Sequence, residues 1–198
     1  MQSVFNKIYK PKNPRRKQSS NPAIIINHTA DFLGRNITYN PDNILEKVGI
    51  QAEYFNYLAT QAFGYLNDFT HYYIDLNKYN YMRISALGLY EYSPFLDELA
   101  DNGIIKADYR YAILITLIGD YSFDIPDKAM LDSLGYLVAS LQYQFNIPLN
   151  KVFFLTDLTK NFSNKLKQYE EKKGRFNITE MTKLPLGLLR THINKYKI

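Results

Sequence analysis

Two apolar patterns alternate along this chain. "AIII" at 23–26 and "AILITLIG" at 112–119 are continuous apolar runs rich in β-branched residues, the pattern of strands buried on both faces. "VFFL" at 152–155 repeats it after the proline-containing turn "NIPLN". "FTHYYIDLN" at 69–77 and "YNYMRIS" at 79–85 are aromatic runs separated by residues 77–80, and they predict a hairpin. Elsewhere the apolar residues recur every three or four positions. Asn43 and Glu46 have capping-box spacing, and Ile44, Leu45, Val48, Tyr54, Phe55, Leu58 and Ala62 give the helix that follows one apolar face. Gly49 weakens its middle and Gly64 ends it. A second helix opens at 125–127, with Leu131, Leu134, Val138, Leu141 and Phe145 on its buried side. Residues 87–111 are irregular apart from a short helix near 95–100, and further helices are expected at 161–173 and 186–196. The order β, α, β, β, β, α, β, without internal repeats, predicts an α/β fold with a central mixed sheet flanked by helices.

With 198 residues, 46% of them hydrophobic, the chain can bury one well-formed core and still carry extensions. No apolar run reaches 18 residues, so no span of a membrane is expected. The absence of cysteine excludes disulfides, thiolate nucleophiles and cysteine–zinc sites.

The net charge of +5 conceals a partition. Residues 1–30 hold six basic residues (Lys7, Lys10, Lys12, Arg15, Arg16 and Lys17) and no acid. Residues 159–198 hold ten basic residues and three acids, and residues 31–158 hold eight basic and sixteen acidic ones. The division expected is therefore a basic extended arm at 1–22, a folded domain at 23–158, and a basic, mainly helical extension at 159–198. Basic ends on an acidic body suit an anionic partner such as nucleic acid, acidic lipid or an acidic protein face. A solvated tail that only aids solubility is the alternative. The acid-free N-terminus also has the composition of an organellar targeting segment. The abundance of Asn, Lys, Ile, Tyr and Phe fits AT-rich codons, hence a phage, an AT-rich bacterium or an organelle.

Candidate chemistry is sparse. His28 follows the first strand, His71 lies in the aromatic run and His192 in the last helix. His28 and His71 are expected to be hydrogen-bonded residues at strand ends, and His192 to lie at the surface. Asp97, Glu98, Asp101, Asp108, Asp120, Asp124 and Asp127 form no pattern that selects the carboxylate pair of a glycosidase. There is no glycine-rich phosphate loop and no Gly-x-Ser-x-Gly element.

Three stretches in order resemble one family. "IIINHTA" is similar to the first strand of zinc-dependent N-acetylmuramoyl-L-alanine amidases, which usually ends His-His-Thr-Ala, and "THYYID" to their Tyr-His-Tyr-x-Ile-Asp strand. The segment from Leu117 to Gly119 through Pro126, Ile147, Pro148, Val152, Asp157 and Leu158 resembles the second half of that fold, shared with peptidoglycan recognition proteins and T7-type lysozyme. The resemblance covers about 23–158. It implies a zinc held by two histidines and a cysteine or aspartate, with a tyrosine stabilising the oxyanion. Carried over by position, the first ligand falls on Asn27, with His28 at the neighbouring non-ligand place, and the second ligand falls on Leu155. The tyrosine falls on Thr70, and no third ligand is recognisable downstream. A neutral amide competes poorly with imidazole for zinc, and leucine has no donor. The expectation is no metal, no cofactor and no catalytic residue. Tyr79, Tyr81, Tyr90 and Tyr92, with His28 and His71, are the candidate groove residues.

Three functions follow. The first is a non-catalytic amidase-fold domain acting as a structural or binding subunit of a larger assembly, a phage virion or a mitochondrial complex. The second is a peptidoglycan-binding module that does not cleave. The third is an active amidase with an unconventional site.

Overall fold

A computed structural model describes residues 22–29, 70–74, 93–117, 119–126, 128–173, 178 and 180–196. Its centre is a four-stranded sheet formed by β1 (Ile24–His28), β2 (Tyr72–Ile74), β3 (Ile113–Leu117) and β4 (Val152–Phe154), in the order β2-β3-β1-β4. Every pairing is parallel, with Ile24 level with both Ile113 and Val152, and Tyr72 level with Ile115. The α/β class matches the sequence pattern. The described strands of the central sheet are all paired in parallel. The second hairpin run at 79–85 and the helix expected from Asn43 lie outside the described residues.

Parallel strands in the middle of a sheet face core on both sides, which explains why β1 and β3 read as continuous apolar runs. All five residues of each are buried. Ile24, Ile26, Ile113, Ile115, Leu117, Val152 and Phe154 point to one face and meet α2 (Lys128–Phe145) through Leu134, Val138 and Leu141. Ile25, Leu114 and Ala112 point to the other, where Phe95, Leu96 and Leu99 of α1 (Pro94–Asp101) cover them. Alternation along each strand thus feeds two separate apolar layers. The N-terminus of α1 is set by Ser93, whose hydroxyl accepts the Leu96 amide at 3.3 Å, and by Pro94 in the first turn.

The β4 strand runs directly into α3 (Leu155–Thr159), which the apolar run at 152–155 did not announce. A 3-10 turn at Lys160–Phe162 leads to α4 (Ser163–Lys173), and α5 (Leu186–Lys195) closes the described chain. The α5 helix lies on α2 and adds Leu189 and Ile193 to the first apolar layer, while Tyr169 of α4 joins the second. Gly135 makes the α2–α5 contact possible, since a Cβ there would sit 2.8 Å from the backbone carbon of His192. His192 is therefore 7% exposed rather than at the surface, a correction with a clear cause: it occupies the α5 face turned toward α2. No helix among the described residues is long and apolar enough to cross a membrane.

Candidate functional site

The carboxyl ends of β1 and β3 carry the polar residues that end the apolar runs. Asn27 stands level with Thr116 and His28 with Leu117. The β1–β4 pairing ends at Ile26 and Phe154, after which Asn27 continues β1 and Leu155 opens α3. The fold thus brings together the two places where the sequence resemblance puts metal ligands. Both are buried, Leu155 completely, and Leu155 belongs to the second apolar layer. Thr116, on β3 between β2 and β1, is also fully buried, and its hydroxyl has no hydrogen-bond partner among the described residues.

The strand ends are fastened by a turn after β3. Thr29 Oγ1 accepts the Gly119 amide at 3.0 Å and donates to the Gly119 carbonyl at 3.3 Å. Gly119 has φ +138°, and a Cβ there would lie 3.1 Å from the Tyr121 ring, so the turn needs glycine. Tyr121 folds back beneath it, and its amide donates to His28 Nδ1 at 3.0 Å. That contact fixes the tautomer: Nδ1 uses its lone pair on Tyr121 and carries no proton. The Asp120 carboxylate 4.0 Å from the same nitrogen is consequently a neighbour and not an ion-pair partner. His28 is a 3% exposed, hydrogen-bonded residue of the strand end.

Thr70 and His71 do a different job. His71 Nδ1 accepts the Leu114 amide at 2.9 Å, and the His71 amide donates to the Leu114 carbonyl at 3.0 Å. Thr70 Oγ1 donates to that same carbonyl at 2.9 Å and lies 3.3 Å from the Tyr72 carbonyl. Both residues are fully buried and extend the pairing of β2 with β3 toward its amino end. His71 stands level with Leu114, three positions below Leu117, the partner of His28. Three strand residues and two strand spacings each amount to about 10 Å. Thr70 and His71 therefore do not converge with Asn27, His28 and Leu155.

A catalytic zinc asks for imidazole, thiolate or carboxylate donors with one open position. Asn27 offers a neutral amide, Thr116 a hydroxyl and Leu155 nothing, so these residues do not fit the ion. Among the described residues no three His, Cys, Asp or Glu side chains form a group able to hold a metal. Tyr79, Tyr81, Tyr90 and Tyr92, like the basic arm with Lys7, Lys10, Lys12, Arg15, Arg16 and Lys17, lie outside the described residues.

One polar cluster was not legible in the sequence. His192 Nδ1 lies 2.8 Å from Asp132 Oδ1, with Lys195 Nζ 3.4 Å from the same carboxylate oxygen and 3.1 Å from His192 Nδ1. Burial pushes the Asp132 carboxyl up, but the bond to His192 and the Lys195 ammonium outweigh it and hold the group below its ordinary range. Sixty residues separate Asp132 from His192, so only the docking of α5 on α2 reveals them as neighbours.

No family profile matches the chain, and no curated protein matches it. Among solved structures it is similar to a mutant endolysin from Bacillus subtilis, at 15% identity and a TM-score of 0.41, covering 85% of this chain and 95% of that one. It is also similar to wild-type PGRP-LB from Drosophila, at 15% identity and a TM-score of 0.42, covering 86% and 91%. At 15% identity and TM-scores of 0.41 and 0.42, no fold assignment and no residue role passes from either protein to this one.

Proposed function

We propose that this chain is a non-catalytic, amidase-like domain serving as a structural or binding subunit of a larger assembly. The observation that carries the reading is the pair Asn27 and Leu155. Each follows the last paired residues Ile26 and Phe154 at the carboxyl edge of the sheet, and the resemblance would put a zinc ligand at each, yet one is an amide and the other is hydrocarbon sealed in the core. Thr70 supports it further, because its hydroxyl is used to pair strand ends. In this reading the basic arm at 1–22, and the exposed basic residues of 159–198, a segment whose α5 packs on α2, meet protein or an anionic surface of the assembly. A phage virion and a mitochondrial complex are the hosts that suit the composition.

Metal analysis of the purified chain tests the reading directly. The expected result is zinc well below one equivalent, no release of peptide stems from peptidoglycan, and constant partner chains when the native protein is purified in its particle. Near-stoichiometric zinc with amidase activity would overturn it. Retention on insoluble peptidoglycan without cleavage, and with no companion chains, would replace the assembly role by a binding role.

A further inference from the structure

A groove of about 770 Å³ opens at the far end of the molecule from Asn27 and His28. It lies between the last turns of α2, the turn at 147–149 that precedes β4, and the end of α5. Since the strands are parallel, the turn before β4 marks the amino end of the sheet, so the groove shares nothing with the strand-end positions described above. Its volume falls within the range of small-molecule sites, roughly 300–1,000 Å³.

The chemistry of the lining is specific. Tyr136 and Tyr143 stand seven residues apart on one helical face, 41% and 76% exposed, although a solvated helix has no need of two tyrosines there. Tyr196 meets Tyr136 edge-to-face, with ring centroids 5.5 Å apart and planes at 88°, which holds both rings in place. Gln142 and Gln144 line the same groove, and Gln142 is anchored by donating to the Ile147 carbonyl at 3.0 Å. Among the described residues the lining contains one charged side chain, Lys195, and Asp132 already pairs with its ammonium. No carboxylate of the described residues lines the groove.

This combination selects a ligand class. An anion would need a cation that is not already paired, and a cationic ligand would need a carboxylate. A purely apolar ligand would offer no hydrogen bond to the Gln144 amide or to the Tyr143 and Tyr196 hydroxyls. A sugar ring meets every element, with its C–H face on the electron-rich face of an aromatic ring and its hydroxyl edge on neutral amides and phenols. Tyrosine is also favoured at protein interfaces, but such interfaces centre on packed apolar anchors, and here the exposed aromatics border a concavity lined with amides. We propose that this groove binds a neutral oligosaccharide, stacked on Tyr143 and Tyr136 and hydrogen-bonded by Gln144 and the Tyr196 hydroxyl. The site is independent of whether the strand-end positions hold metal.

The test is titration of the full chain with cellotetraose and, separately, with tetra-N-acetylchitotetraose, followed by calorimetry and by amide chemical shifts. The expected result is saturable binding of at least one, with shifts concentrated at residues 136–149 and 195–196. Tyr143→Ala should weaken it at least tenfold with an unchanged thermal melt, as befits a residue so exposed, and Tyr143→Phe should keep most of it because the stacking face remains. Binding of neither sugar, binding that Tyr143→Ala and Tyr136→Ala leave intact, or a groove that takes up only a partner protein would each overturn the proposal.

Discussion

Leu155 and His28 show how little a residue type says about its work until its neighbours are known. Leu155 occupies a place that the strand motifs associate with a ligand, yet its side chain belongs to the apolar layer shared by Ile25, Phe95 and Leu114. Truncating it removes buried hydrocarbon and leaves a void, so Leu155→Ala should destabilise the fold by about 2–5 kcal/mol in urea unfolding. If the position were a vestigial metal site tolerant of change, the loss would stay well under 1 kcal/mol. His28 could be read in the sequence as a hydrogen-bonded strand-end residue, because it follows an apolar run. The identity of its partner could not, since Tyr121 lies 93 positions away and reaches it only through the Gly119 turn.

Between elements, the α2–α5 contact is the most informative. Gly135 faces His192 so closely that any side chain would collide with backbone rather than with a movable tip. Helix propensity favours Gly135→Ala by about 1 kcal/mol, whereas overpacking a rigid contact costs about 1–3 kcal/mol. The collision at 2.8 Å decides between them, and Gly135→Ala is expected to lower the melting temperature. A rise would mean that α5 is free to move away. The same contact carries a pH dependence. The folded pKa of Asp132 lies below its ordinary value of 3.8, so its contribution is present at neutral pH and is lost as the pH falls below 3.8 toward the folded pKa. Asp132→Asn should therefore melt lower than the parent at pH 7, and the gap should narrow below pH 4. A gap of constant size across that range would show that the carboxylate charge contributes nothing. The sequence showed α2 by its three- and four-residue spacing, and the terminal helix as well, but not that the two pack together.

For the whole molecule, charge is distributed unevenly along the sequence. The six basic residues at 1–30 face no acid in their own segment, while residues 31–158 carry an excess of eight acids. If the arm serves an external anionic surface, deleting residues 1–20 should weaken assembly and leave the thermal melt within about 2 °C of the parent, less than a change of 1 kcal/mol produces in a domain of this size. A larger drop would place the arm within the fold. The parallel order β2-β3-β1-β4 is the molecular feature least visible beforehand. An apolar run reports burial on both faces, but it carries no information on direction or neighbour.

What the sequence determined alone was local: where the apolar strands β1 and β3 and the helices α2 and α5 form, which of their faces are apolar, and that no cysteine is present to bind a metal. Those properties depend on side-chain type at short spacing, which the chain carries in any conformation. Tertiary structure alone decided that Asn27 and Leu155 each follow the last paired residues of β1 and β4, that Thr70 and His71 are spent on strand pairing, and that His192 meets Asp132. It also decided that Tyr136, Tyr143 and Tyr196 border one groove. These are relations between residues up to 128 positions apart, and they exist only once packing has chosen the register of the sheet and the docking of α5.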